Sequence, residues 1–118
     1  MLWWLLADPR LPDSVRVEIE DATAVFVSAA SAMEIATKYR IGKLEEADEI
    51  AGQSNDKVSR YGFEPLSVTI AHGERAGLLE RWHKDPFDRL LIAQAFAEGF
   101  TIVSRDEVFD LYGVRRLW

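Results

Sequence analysis

Apolar residues fall along this chain in short β-rich runs that alternate with longer stretches of helical spacing. Val15 and Ile19, four apart behind Pro12, predict a helix over residues 13–21. Residues 24–28 form a short extended run. Residues 31–41 read as a helix, with Ser31 as its cap and Gly42 at its end. A polar helix over 46–61 follows, closed by Gly62. Residues 65–68 are briefly extended, and Thr69 is placed to cap a helix running to about His83. Asp85-Pro86 is the clearest punctuation, an N-cap before a proline at the first helical position. The helix it opens, 87–98, is apolar over most of its circumference and ends at Gly99. Such a helix is buried on more than one side, here against a sheet and another subunit. Residues 100–104 have the near-continuous apolar character of a parallel-sheet interior. A short helix at about 106–111 and a strand at 114–117 complete the series. Alternating elements of this kind predict an α/β fold with a parallel sheet.

Composition narrows the picture. The 118 residues correspond to a single domain, 1–118. Apolar residues at 48% and charged residues at 29% are an ordinary globular mix. No segment approaches the roughly 20 apolar residues of a membrane span. The opening Met-Leu-Trp-Trp-Leu-Leu-Ala run is short and lacks a basic leader, which reads against a signal peptide. The chain has no cysteine, so disulfides and thiolate metal sites are excluded, and a reducing cytoplasm fits. The net charge of −6 argues against broad binding to a phosphate backbone. It suits clustered carboxylates that hold cations, or an acidic face for a basic partner, or simple solubility.

The candidate chemistry lies in the carboxylates. In a βα unit the helix N-termini gather at the carboxyl edge of the sheet, where open α/β folds bind ligands. Glu34 is expected in the first turn of one helix and Asp88 in the first turn of another. Asp106 lies just past the strand over 100–104. Topology therefore directs all three to one edge, and Asp85, three residues before Asp88, can join them. Carboxylates brought together repel unless a cation sits among them, and Mg²⁺ or Mn²⁺ takes oxygen ligands. Each acid also has a simpler role: Asp85 and Asp106 as N-caps, Glu34 and Asp88 as complements to a helix dipole.

Longer motifs strengthen the metal reading. Ser28-Ala-Ala-Ser-Ala-Met-Glu34-Ile-Ala, then Ile41-Gly-Lys-Leu44, then Asp85-Pro-Phe-Asp88-Arg-Leu-Leu-Ile-Ala-Gln94, then Thr101-Ile-Val-Ser-Arg-Asp106 follow in order. With the closing Tyr112-Gly-Val and Leu117-Trp118, the sequence resembles the PIN-domain toxins of VapBC-type toxin–antitoxin systems. The resemblance implies a three-layer sandwich around a mostly parallel sheet. It also implies an Mg²⁺- or Mn²⁺-dependent endoribonuclease, a homodimer, and inhibition by a cognate antitoxin. It assigns the acidic set to Glu34, Asp88 and Asp106, a further acid to Asp85, and small hydroxyl positions to Ser104 and Ser28.

One departure accompanies the resemblance. Family members usually start with a hydrophobic strand ending in an Asp-Thr-His-like segment, before a Leu-Leu-Trp-Trp run. Here Met1 opens directly on that run, so the first strand and its aspartate are not in the chain. Either the natural start lies upstream, which the intact remaining acids favour, or this is an inactive copy that only binds an antitoxin or partner subunit. If this chain is what folds, its sheet carries a gap or a substitute strand, and its metal binding is weak.

The cations Lys84, Arg89 and Arg105 flank the acidic edge. They can contact RNA phosphate or pair with the carboxylates between them. Arg115 and Arg116 read as an edge-strand device. His72 and His83 are isolated in sequence. Trp3, Trp4 and Trp82 read as core or interface residues, and Trp118 as cover for a sheet edge.

Overall fold

The computed structural model describes residues 12–42 and 62–118. The chain divides into two compact units, Met1–Ser67 and Val68–Trp118. The expected helix over 46–61 and the residues Trp3 and Trp4 lie outside the described residues.

In the first unit, helix α1 spans Asp13–Asp21 and buries Val15 and Ile19, the pair whose spacing predicts it. Strand β1 (Phe26–Ser28) leads directly into helix α2 (Ala29–Arg40). The cap of α2 is Ser28, whose hydroxyl accepts from the Ala30 N–H at 3.0 Å. Ser31 is therefore inside the helix and not at its start. The two alanines between the serines are good helix formers, so the helix extends back to the first available cap. Strand β2 (Glu64–Leu66) pairs parallel with β1, Val27 opposite Pro65. Proline cannot donate to a ladder, and the Glu64 N–H makes the bond to the Val25 carbonyl at 2.8 Å.

In the second unit, helix α3 (Ile70–Leu78) opens on Thr69, as expected. Its capping box is formed by an imidazole. The Thr69 hydroxyl accepts from the His72 N–H, and His72 Nδ1 accepts from the Thr69 N–H, both at 3.1 Å. An Nδ1 that accepts requires the proton on Nε2, which faces Glu98 Oε1 at 3.1 Å. His72 is buried, and Gln94, also buried, lies 3.3 Å from its Nδ1.

Helix α3 stops at Leu78 instead of reaching His83. Gly73 and Gly77 weaken it from within, and its last carbonyls are taken by a side chain described below. Helix α4 (Pro86–Glu98) follows, then β3 (Ile102–Val103), a 3-10 helix (Glu107–Tyr112) and β4 (Arg116–Leu117). Gly99 closes α4 in the left-handed conformation with φ of 70°, which a side chain would disfavour. The Phe100 N–H also turns back to the Ala95 carbonyl at 3.0 Å, so this residue finishes the helix and β3 starts later than the apolar run suggests.

Strands β3 and β4 are parallel, Ile102 opposite Arg116 and Val103 opposite Leu117. The described strands thus form two separate parallel pairs. This is α/β architecture with short parallel strands, the class the sequence predicts. The core of the second unit is built from Ile92, Ala95, Phe109 and Val114, with Leu79, Leu91, Ile102, Val108 and Tyr112 packed against it. Four consecutive residues of α4, Ile92 to Ala95, are buried. Successive helical side chains point about 100° apart, so the helix is covered most of the way round at its middle. Trp82, by contrast, is 60% exposed and not a core residue.

Ile92 is completely buried. Ile92→Ala is expected to cost about 2–5 kcal/mol, the range for emptying a tight apolar site. Urea denaturation will read this as a lower midpoint with an unchanged slope.

Candidate functional site

The acids of the second unit are placed by caps. Asp85 precedes α4 in an extended conformation, and its Oδ1 accepts from the Phe87 N–H at 2.9 Å and the Asp88 N–H at 3.1 Å. Pro86 sits at the first helical position, where its missing N–H is no loss. Asp88 follows in the first turn, as expected. Both carboxylates stand at the positive end of the helix dipole.

Asp88 has a partner that its sequence does not announce. Asp88 Oδ2 lies 2.8 Å from His83 Nε2. A carboxylate only accepts, so His83 Nε2 carries the hydrogen. The His83 backbone is itself held at both ends. Its N–H donates to the Tyr112 hydroxyl at 3.0 Å, and its carbonyl accepts from Arg89 Nη1 at 2.9 Å. The Tyr112 hydroxyl in turn donates to the Glu80 carbonyl at 2.7 Å. The Trp82 ring leans on the Tyr112 ring, with centroids 5.1 Å apart.

Arg89 stands one residue beyond Asp88, and its position offered it to phosphate or to a carboxylate. Its guanidinium is instead spread over main-chain carbonyls. Nη2 reaches Ala76 at 2.8 Å, Leu79 at 2.9 Å and, at the limit, Gly77 at 3.5 Å. Nη1 reaches Glu80 at 3.0 Å as well as His83. These are the orphan carbonyls of the α3 C-terminus and the turn after it. A planar fork with five donors suits that task as a lysine would not.

Asp106 emerges just past β3 and caps the 3-10 helix, its Oδ1 accepting from the Val108 N–H at 3.0 Å. Its own N–H donates to Ser104 Oγ at 3.0 Å, so the small hydroxyl beside it shapes the turn that presents the acid. Arg105 lies over the Trp118 ring, 5.8 Å from its centroid. Arg116 grips Asp110 through Nε and Nη2, both at 3.0 Å, and its Nη1 reaches the Ser104 and Trp118 carbonyls. The hydrogen bonds from Arg116 hold the Asp110 carboxyl below its usual range, against slight desolvation and with help from charge attraction. The same bonds raise Arg116, with Glu107 and Asp106 adding through charge.

Glu34 belongs to the first unit. It falls in the second turn of α2 and not the first, because the helix begins at Ala29. Its Oε2 is 2.9 Å from Lys38 Nζ, an (i, i+4) pair on the helix surface. Within the second unit the fold brings Asp85 and Asp88 together at one helix end and sets Asp106 at the end of β3.

The donors suit a hard divalent cation. They are carboxylate oxygens, and the caps of Asp85 and Asp106 engage only one oxygen of each. Capping and metal binding are thus compatible roles, not rivals. Sequence reasoning missed the link from His83 to Asp88 and its support from Tyr112 and Arg89. Only the spacing of a histidine two residues ahead of an Asp-Pro cap hints at it.

Comparison with known proteins identifies the class. The PIN domain family matches residues 1–114, and the chain belongs to that family. It is similar to Ribonuclease VapC16 of Mycobacterium tuberculosis, with 41% identity over 69 residues, covering 54% of this chain and 49% of that protein. The match thus spans about half the length of that curated relative.

Two expectations follow from these contacts. Arg89→Lys keeps the charge but cannot serve the fan of carbonyls, and should lower stability by about 1–3 kcal/mol, measured by denaturant titration. The Asp110 contribution has a defined sign: a lowered folded pKa gives stability that is present above the unfolded value, roughly 3.9, and lost as pH falls through the folded one. The melting temperature of Asp110→Asn should therefore lie below the parent at neutral pH, with the gap closing below about pH 4.

Proposed function

We propose that this chain is the toxin of a type II toxin–antitoxin pair, an endoribonuclease that hydrolyses RNA phosphodiester bonds with Mg²⁺ or Mn²⁺. The observation that carries the reading is PIN-family membership across nearly the whole chain. The likeness to a protein named as a ribonuclease supports it. In this reading Glu34, Asp88 and Asp106 hold the cation, with Asp85 as a further oxygen donor. A bound divalent ion supplies Lewis acidity that acidifies water and offsets phosphate charge. One of the carboxylates takes the proton of the attacking water. Lys84 and Arg105 meet the RNA backbone, and Ser104 steadies the Asp106 turn. Arg89 serves the helix end and is left out of the RNA contacts.

The partners in this reading are RNA, a second copy of the chain and a cognate antitoxin, in the cytoplasm. No helix among the described residues is long and apolar enough to cross a membrane. The acidic chain then offers the antitoxin a surface suited to basic segments.

The test is cleavage of a mixed-sequence RNA by the full chain. Cleavage is expected with Mg²⁺ or Mn²⁺, absent with chelator, and reduced at least about 100-fold in Asp88→Asn, the scale on which loss of one preorganised group acts. Cleavage that persists unchanged in chelator, or in Asp88→Asn, would sink the reading. Binding of a co-expressed antitoxin without any cleavage would make the chain a PIN-fold binding protein instead.

A further inference from the structure

We infer that His83 is a positioning residue for Asp88, fixing its carboxylate for a divalent cation, and that Tyr112 acts on the same carboxylate through His83. This rests on the proposed role of Asp88 as a metal ligand. The contact itself is short, with His83 Nε2 and Asp88 Oδ2 2.8 Å apart. Both side chains are largely shielded, at 24% and 16% relative exposure, so water competes poorly for the hydrogen bond.

The argument lies in how the imidazole is supported. His83 stands in the turn between α3 and α4, a segment without ladder bonds of its own. Four side-chain hydrogen bonds from two other elements nonetheless fix that turn. Tyr112, from the 3-10 helix, joins the His83 N–H to the Glu80 carbonyl through one hydroxyl. Arg89, from α4, holds the Glu80 and His83 carbonyls with one nitrogen. Fixing a turn at this density costs conformational entropy. Its result is an imidazole edge delivered to one oxygen of Asp88.

A carboxylate in the first turn of a helix has several staggered rotamers open to it. A donor held rigidly at Oδ2 selects one of them before any ion arrives. Outer partners of this kind orient metal ligands, and losing one typically weakens metal affinity about 10- to 100-fold.

Mn²⁺ binding by the full chain, followed by electron paramagnetic resonance of free Mn²⁺, tests the inference without recourse to activity. His83→Ala is expected to bind Mn²⁺ at least about 10-fold more weakly than the parent. His83→Gln, whose amide can donate from nearly the same place as Nε2, should recover most of that loss. Tyr112→Phe should weaken binding by less, and add little when combined with His83→Ala, because it acts through the same residue. Melting curves in chelator separate a fold defect from a site defect: each variant must remain folded at the titration temperature.

Parent-like Mn²⁺ affinity in His83→Ala overturns the inference, as does His83→Gln binding no better than His83→Ala. If His83→Ala does not fold, the His83→Gln and Tyr112→Phe titrations decide, and parent-like affinity in Tyr112→Phe with weakened His83→Gln overturns it. If the parent binds no Mn²⁺, or Asp88→Asn binds it as well as the parent, the role of Asp88 falls and the inference with it.

Discussion

The second unit depends on how α3 ends. A helix terminus leaves up to four carbonyls without partners, and burying them unpaired would cost on the order of 1–3 kcal/mol each. Here the chain must also turn sharply, because Asp85 starts α4 soon after Leu78 ends α3. One guanidinium meets both demands. Arg89 gathers carbonyls from Ala76 to His83, so the end of one helix is organised by a residue in the first turns of the next. Asp85 does the complementary work for the N–H groups at the start of α4. Donor and acceptor deficits at the two facing helix ends are thus met within a few residues of Asp88.

Much of this was legible in the sequence, where local chemistry decides structure. The Thr69 cap, the Asp85-Pro86 cap, the Gly99 stop and the pairing of Val15 with Ile19 all rest on interactions within a few residues. They are found where the sequence puts them. The strands were legible as apolar runs but not in length. What trims them is non-local or competitive: the Phe100 N–H serves a helix end, and Ser104 enters a turn with Asp106. Ser28 and Ser31 were equally good caps by type, and two alanines tipped the choice.

The site was legible to a different degree. Asp85, Asp88 and Asp106 could be placed because each stands at an element boundary, and boundaries follow capping rules. Their surroundings could not. His83 and Arg89 look from the sequence like a solitary histidine and a phosphate-ready cation. Their actual partners lie up to 29 residues away or are main-chain atoms, and neither kind of partner leaves a residue-type pattern. For Arg89 the consequence is a change of role, since a cation spread over five carbonyls is part of the scaffold.

His72 extends that scaffold to the other end of the helix pair. Its ring completes the cap of α3 and touches Glu98 in the last turn of α4, while Arg89 ties the opposite ends together. Apolar packing alone leaves two helices some freedom to slip along their axes, since neighbouring ridges and grooves differ little in energy. A slip by one turn, about 5.4 Å, would break both polar ties at once. The pair is therefore keyed in register at both ends and behaves mechanically as a strut. A force on either helix is carried along its length instead of being absorbed by sliding.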